Sequence, residues 1–424
     1  MTIIVVPTEK CNCKCKYCFE PDEVHKGLGV EYDFDAMKKS LEQIWGGRYH
    51  HSSIALHGGE CTLIPFEEFE KLVSLIYNLP WKRSDGTVGR KGAVSIVTNG
   101  TLITDKHIEL FKKYNVHVAI SVDGSPDLNI LRGPDPSDKQ VTRVYNLKVN
   151  ETIKKLRGNG VAVSIMCMLH SGNVSTKEQR GKLGGWMLWL KKQGITGGRV
   201  NPIYSDRHPE LEPRLNDLFQ MWVNVYKWNK KYGLRWNPLI EMERNLTGEN
   251  KQPQPCVHNK CDPFNTHTIS VLPDGQIGCC DRTFTHGLYT RSLDETKSGR
   301  YSALEQIDCK DCKYWRVCHG GCPEEGIGGD WRRKTRFCEA IYKTYEYIEK
   351  DLRARGVTDL VIDKPVESVE RSSFGSTHGD KAHGDEAHGD SHGDIPHGDS
   401  LHGDMEHGDI AHGDSDHGDT VDFL

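Results

Sequence analysis

The chain has 424 residues, 36% of them hydrophobic, and 55 Lys and Arg against 60 Asp and Glu give a net charge of −5. That length allows two or three domains with real cores, and no run of about eighteen apolar residues is present to span a membrane. Fifteen cysteines, an odd number, with no opening stretch of signal-peptide pattern, favour metal ligation in an oxygen-protected cytoplasm over an exported disulfide framework.

The charge is unevenly placed. Residues 372–424 carry thirteen Asp and Glu against one Lys, a charge of −12, which leaves +7 on the first 371 residues. Body and tail therefore attract, within a screening length of about 10 Å.

The first element is an apolar run, Ile3 to Val6, read as a strand. It leads into Cys11-Asn12-Cys13-Lys14-Cys15-Lys16-Tyr17-Cys18, where Cys11, Cys15 and Cys18 give C-x3-C-x2-C. Three thiolates on one loop can hold three corners of a cubane iron–sulfur cluster and leave the fourth iron open to a small ligand. A zinc loop would use two separated ligand pairs, and a disulfide knot belongs to a short secreted chain. Cys13 falls outside the spacing and reads as a spare thiol. This loop, with Tyr17 before its last cysteine, resembles the cluster loop of radical S-adenosylmethionine (SAM) enzymes. The resemblance implies a [4Fe-4S] cluster that binds SAM.

Strand and helix signals then alternate. Helices are expected over Asp35–Ile44, Phe66–Tyr77, Asp105–Tyr114 and Tyr145–Arg157, and strands over Ser53–Leu56, Ala93–Val97, Val116–Val122 and Val161–Met168. This order suggests βαβ units on a parallel sheet, with ligands at the carboxyl ends of the strands. The informative residues fall there. His57-Gly58-Gly59-Glu60 offers two glycines for close backbone approach and a carboxylate for an ammonium. On the resemblance, Gly58, Gly59 and Glu60 match the motif that grips the SAM amino group, although Cys61 stands where the family has proline. Asn99 and Ser121 would sit beside the SAM ribose and carboxylate, with Arg132 a candidate carboxylate partner. Ordinary turn chemistry is the competing account of Asn99-Gly100 and Asp123-Gly124. The resemblance covers residues 1–210 and implies a partial (β/α)6, TIM-like α/β barrel.

Residues 216–232 form a helical stretch whose Phe219, Trp222, Tyr226 and Trp228 read as packing residues. The cysteines then return. Cys261, Gly275 and Cys280 give C-x13-G-x4-C, and Cys309, Cys312, Cys318 and Cys322 give C-x2-C-x5-C-x3-C, with Cys338 beyond. A zinc ribbon would explain the four-cysteine run alone. The whole arrangement is similar to the SPASM extension of radical SAM enzymes, which implies two auxiliary [4Fe-4S] clusters. By that analogy Cys256, Cys261, Cys280 and Cys322 hold one, with Cys279 an alternative to Cys280, and Cys309, Cys312, Cys318 and Cys338 hold the other. Thr268 to Cys279, turning at Pro273-Asp274-Gly275, reads as a hairpin. Asp281 stands where related sulfatase-maturing enzymes have a catalytic base, and it equally fits a turn cap.

From His378 the tripeptide His-Gly-Asp recurs nine times, mostly at a period of five, which matches neither a helix nor a strand face. With little to bury, this tail is expected to be disordered. It reads as a metal store, as a neutral expansion, or as a substrate. The last reading rests on resemblance to peptide maturases that join an aromatic side chain to the β-carbon two residues on, in three-residue cyclophanes.

The expected domains are a radical SAM core at 1–215, a helical linker at 216–255, a small cysteine-rich SPASM domain at 256–365 and the repeat tail at 366–424. The expected function is a radical SAM peptide maturase forming His-to-Asp crosslinks in its own tail or in a separate precursor peptide, with flavodoxin or ferredoxin as reductant. No nucleic-acid or membrane partner is expected. The alternatives are a formylglycine-forming sulfatase maturase and a non-catalytic metal-handling protein.

Overall fold

The computed structural model describes residues 2–19, 29–46, 53–79, 94–250, 253, 256, 268–280, 282 and 299–364. Cys261, Asp281 and the His-Gly-Asp tail lie outside the described residues. The strands are β1 (Thr2–Thr8), β2 (Ser53–Gly58), β3 (Val94–Thr98), β4 (His117–Ser121), β5 (Val163–Leu169), β6 (Gly197–Pro202), β7 (Arg235–Asn237), β8 (Thr268–Val271) and β9 (Ile277–Gly278). They form one open sheet in the order β7-β6-β5-β4-β3-β2-β1-β8-β9. Every pairing is parallel except β8 with β9.

The sequence explains the centre of this sheet. In β1, Ile3 and Val5 are fully buried and Ile4 and Val6 nearly so. A strand covered on both faces must read as a continuous apolar run, as parallel strands do. Between the strands run α1 (Phe34–Gly46), α2 (Phe66–Asn78), α3 (Asp105–Lys113), α4 (Lys139–Gly158) and α5 (Lys177–Lys192). In α2, Phe69, Leu72, Val73 and Ile76 share one helical stripe and all are buried. The result is the α/β arrangement on a parallel sheet that the alternation suggested, open as the resemblance implied.

The stretch expected as a helical linker does more than connect. It holds α6 (Leu215–Tyr232) and α7 (Leu239–Thr247), and β7 between them pairs with β6 at one sheet edge. Leu234 and the fully buried Trp236 anchor it. Trp222 and Tyr226 of α6 are buried, and Phe219 and Trp228 pack partly buried against the same core. At the other edge, β8 aligns with β1 from Thr2↔Thr268 to Val5↔Val271. The hairpin turn between β8 and β9 needs Gly275: its φ is +81°, and a Cβ there would come within 2.7 Å of the Ala36 carbonyl oxygen. A final helix, α8 (Cys338–Ala354), packs on α6, where the Tyr226 hydroxyl donates to Asp351 at 2.7 Å. The described residues up to Lys364 belong to one compact unit.

Candidate active site

The loops at the carboxyl ends of β1 to β5 are tied together by side chains. After β1, the cysteine loop is pinned by backbone hydrogen bonds from Lys14 to the Gly133 carbonyl at 2.8 Å and from Lys16 to that of Leu131 at 2.9 Å. Cys11, Cys15 and Cys18 are each partly buried, and none is in a disulfide. Cys13 is buried beneath them. Its backbone N–H points at Cys11 Sγ at 3.4 Å. The neighbouring Cys13 side chain, with Arg132 nearby, outweighs burial and draws the Cys15 thiol down to about 6.

The two glycines after β2 approach this loop. A Cβ on Gly58, where φ is +104°, would meet the Thr8 carbonyl oxygen at 2.7 Å, and one on Gly59 would meet those of Glu9 and Lys10 at 2.2 and 2.3 Å. Gly59 and Glu60 donate their N–H groups to Thr8 and Lys10 at 3.0 and 2.8 Å. The motif therefore fastens the root of the cysteine loop. Glu60 is buried, and its carboxylate accepts from Thr62 N at 3.2 Å, Thr62 Oγ1 at 2.6 Å, Thr98 Oγ1 at 2.7 Å and Asn99 N at 2.7 Å. Asn99 in turn donates to Asn12 Oδ1 at 2.7 Å, which links the end of β3 to the cysteine loop.

A second network lies under Cys15. The Tyr17 hydroxyl donates to Asp123, and Arg132 donates to that hydroxyl at 2.7 Å and stands 3.8 Å from Asp123 Oδ1. Asp123 is fully buried and also accepts from Met168 N at 2.9 Å. Burial pushes its pKa up against the opposing pull of Arg132. His170, after β5, stacks on Tyr17 at 6.0 Å between ring centroids, and burial with Arg132 nearby lowers it to about 3. Ser121 is buried at the end of β4. Arg132, expected to meet a ligand carboxylate, donates to Tyr17 and faces Asp123.

The second cysteine field separates into groups. Cys309, Cys312, Cys318 and Cys338 lie close enough to act on one another electrostatically. Burial first, then these neighbours, push Cys309 up to about 12 and Cys318 further. Cys256 and Cys322 form a separate buried pair, with the Arg282 guanidinium beside them and 3.8 Å from Glu325. Cys279 and Cys280 directly follow β9, the former buried and the latter partly so.

Residues 5–176 match the Radical SAM superfamily. This part of the chain is a radical SAM domain. The curated relatives include a cysteine-type anaerobic sulfatase-maturating enzyme of Clostridium perfringens, 24% identical over 76% of this chain and 88% of that protein. A serine-type anaerobic sulfatase-maturating enzyme of Bacteroides thetaiotaomicron is 25% identical over 80% of this chain and 86% of its own length. Among solved structures, native anSMEcpe with bound AdoMet and Cp18Cys peptide shares the fold at a TM-score of 0.61 and 20% identity, covering 84% of this chain and 99% of that one. Streptococcus suis SuiB bound to S-adenosylmethionine shares it at 0.55 and 16%, covering 80% of this chain and 76% of that one. The protein is an enzyme of the radical SAM kind, and its cofactors are a 4Fe–4S cluster and SAM.

The radical SAM domain fits that cluster. Three thiols stand on one pinned loop, none spent in a disulfide. Among the described residues no three His, Cys, Asp or Glu side chains gather tightly enough for a single metal ion. A four-iron cubane spreads its thiolates more widely. Among the described residues no helix is long and apolar enough to cross a membrane. Thr98 and Asp123 fell within the strand-end segments Thr98-Asn99-Gly100 and Ser121-Val122-Asp123-Gly124 that the resemblance sets beside SAM, but neither was given a role of its own. Sequence reasoning gave no role to Asn12 or His170.

Proposed function

We propose that the protein is a radical SAM peptide maturase that crosslinks His to Asp within His-Gly-Asp. The cluster and SAM supply a carbon radical able to take a hydrogen atom from a peptide, and auxiliary clusters supply an exit for an electron. Cys11, Cys15 and Cys18 hold the SAM-binding cluster. The Gly58-Gly59 backbone with Asn99 and Ser121 lines the SAM pocket, while Glu60 and Arg132 support it from behind. Cys309, Cys312, Cys318 and Cys338 hold one auxiliary cluster, and Cys256, Cys261, Cys322 and Cys280 or Cys279 the other.

The observation that carries this reading is the pairing of β1, which leads into the first cysteine field, with β8, which opens the hairpin that leads into Cys279 and Cys280 of the second. The substrate assignment rests on the nine His-Gly-Asp tripeptides in the chain itself. In each, the Asp β-carbon would lose one hydrogen atom and bond to an imidazole carbon, which then gives up a proton to Asp281 and an electron. The net change is two hydrogens per crosslink. Glycine between them permits the backbone angles of so small a ring. A peptide substrate is also supported by the likeness in fold to Streptococcus suis SuiB bound to precursor peptide SuiA. The sulfatase-maturating relatives favour a second reading, oxidation of a Cys or Ser in a sulfatase to formylglycine.

Tandem mass spectrometry separates the two. After anaerobic reconstitution and incubation with SAM and dithionite, a tail lighter by two hydrogens per modified His-Gly-Asp supports the crosslinking reading. An unchanged tail and unchanged His-Gly-Asp peptides, with conversion of a sulfatase peptide, transfer the assignment to the second. Iron near twelve per chain is expected for three four-iron clusters, and Cys15→Ala should abolish deoxyadenosine formation.

A further inference from the structure

Between Cys318 and Cys322 the chain turns back through three consecutive left-handed residues, His319 at φ +51°, Gly320 at +77° and Gly321 at +78°. Glycine adopts that conformation freely, whereas a histidine does so at a cost. The turn is closed by Gly321 N, which donates to the Cys318 carbonyl at 3.1 Å. Its own three carbonyls are all taken up. Gly320 O accepts from Thr335 N at 2.8 Å. The other two are held by Arg300, which is fully buried: Nη1 donates to the His319 carbonyl at 3.1 Å and Nη2 to that of Gly321 at 3.0 Å. The same guanidinium donates from Nε to the Trp331 carbonyl at 2.9 Å and reaches that of Arg333 at 3.5 Å. One planar fork thus fastens the turn to the segment that leads through Thr335 into Cys338. The two lie in direct contact, since a Cβ on Gly321 would meet Thr335 Cγ2 at 2.2 Å.

We propose that Arg300 is a positioning residue that sets the spacing of the two auxiliary clusters, by clamping the turn that joins a ligand of one to a ligand of the other. The inference rests on the reading that Cys318 serves one cluster with Cys309, Cys312 and Cys338, and Cys322 the other. These five thiols fit that reading, because none is spent in a disulfide and the chain between the first four in sequence is short. Fully extended, the four steps from Cys318 to Cys322 would span about 13–14 Å. The left-handed turn folds that span back, and Arg300 holds the folded form. Electron exchange between clusters depends steeply on their separation, so the clamp governs how readily the electron given up by the substrate passes between them. No bond forms or breaks at Arg300. Lysine could not take its place, because a compact ammonium lacks the rigid fork that meets several carbonyls at once.

The test is electron paramagnetic resonance of the full chain, reconstituted anaerobically with iron and sulfide and fully reduced with dithionite. In the wild type the two auxiliary clusters, reduced together, should split each other's signals, because coupling between spins falls steeply with separation. Arg300→Met keeps an apolar stem and removes every donor, while Arg300→Lys keeps the charge and loses the fork. Both should narrow that splitting and leave unchanged the signal that responds to SAM. The Lys protein carries the test if the Met protein folds poorly. An unchanged splitting in either variant with iron near twelve per chain, or no splitting in the wild type with both auxiliary signals present, overturns the proposal. So does loss of about eight irons from both variants, which would make Arg300 necessary for forming the clusters and not for spacing them. A wild-type protein with about four irons and only the SAM-responsive signal instead overturns the reading of the second cysteine field.

Discussion

Glu60→Gln tests whether the buried carboxylate is the clasp of the site. Glu60 Oε1 accepts three hydrogen bonds, from Thr62 N, Thr62 Oγ1 and Thr98 Oγ1, while Oε2 accepts one, from Asn99 N at 2.7 Å. Glutamine keeps only one acceptor oxygen. It will place that oxygen among the three donors and turn its amide toward Asn99, so that two N–H groups face each other. Losing one hydrogen bond to a charged group and leaving its donor buried costs about 2–3 kcal/mol. Asn99 must then shift, and with it the contact to Asn12 at 2.7 Å on the cysteine loop. Urea unfolding of the reduced, metal-free protein should therefore show a loss of about 2–3 kcal/mol, with weaker SAM binding by calorimetry after reconstitution. Thr98→Val removes one donor to Glu60 and also the acceptor of the buried Gly100 N–H, 3.0 Å from Thr98 Oγ1, so it should cost a similar amount, about 2–3 kcal/mol. A Glu60→Gln protein within about 0.5 kcal/mol of wild type, the range of an ordinary surface change, would refute the clasp.

Asp123→Asn removes the charge that faces Arg132 in a buried site, and stranding one partner of such a pair costs about 3–5 kcal/mol. Thermal unfolding checks this, and iron retained after reconstitution should fall because Tyr17, which belongs to the cysteine loop, loses its acceptor. His170 supplies a pH prediction. Its folded-state pKa of about 3 lies below the ordinary value of 6.5, so the unfolded chain binds the proton first and stability falls as pH drops from 6.5 toward 3. Between pH 6.5 and 5 the slope amounts to about 2 kcal/mol. His170→Asn should be less acid-sensitive than wild type by that amount in paired urea titrations, and parallel curves would exclude the assignment.

Legibility followed the range over which each signal acts. The central strands were readable because parallel strands buried on both faces need unbroken apolar runs, as Ile3–Val6 shows. The cysteine fields were readable because a cluster imposes fixed short spacings. Asp123 was not, because its burial depends on Tyr17, 106 residues earlier in the chain, and on the fold of the Arg132 loop. In sequence an Asp-Gly pair signals only a turn. Strand β7 is three residues long, too short for a period to show, and it forms because Trp236 needs cover. The expected purpose of Gly58 and Gly59 was close approach to a ligand. The structure adds a nearer cause, since the chain's own carbonyl oxygens at Thr8, Glu9 and Lys10 leave no room for a Cβ.

The register of β8 against β1 has a further consequence. β1 is hydrogen-bonded to β2 on one side and β8 on the other, so it stands beside both the cysteine loop and the hairpin. Toward its carboxyl end it feeds the cysteine loop, and the hairpin beside it feeds Cys279 and Cys280. Because sheet pairing has a side-chain period of two, a slip of one residue between β1 and β8 would turn the inward face of β8 outward. Val271, now fully buried, would be displaced, and the step resists such slippage by the cost of exposing a valine, about 1.5–3 kcal/mol. The Gly275 turn on α1 adds a second lock, with Asp33 N donating to the Pro273 carbonyl at 2.9 Å. Electron exchange between two clusters depends steeply on their separation. On the proposed assignment of an auxiliary cluster to Cys280 or Cys279, a sheet that fixes both anchors through one strand sets that separation more firmly than two domains joined by a linker would.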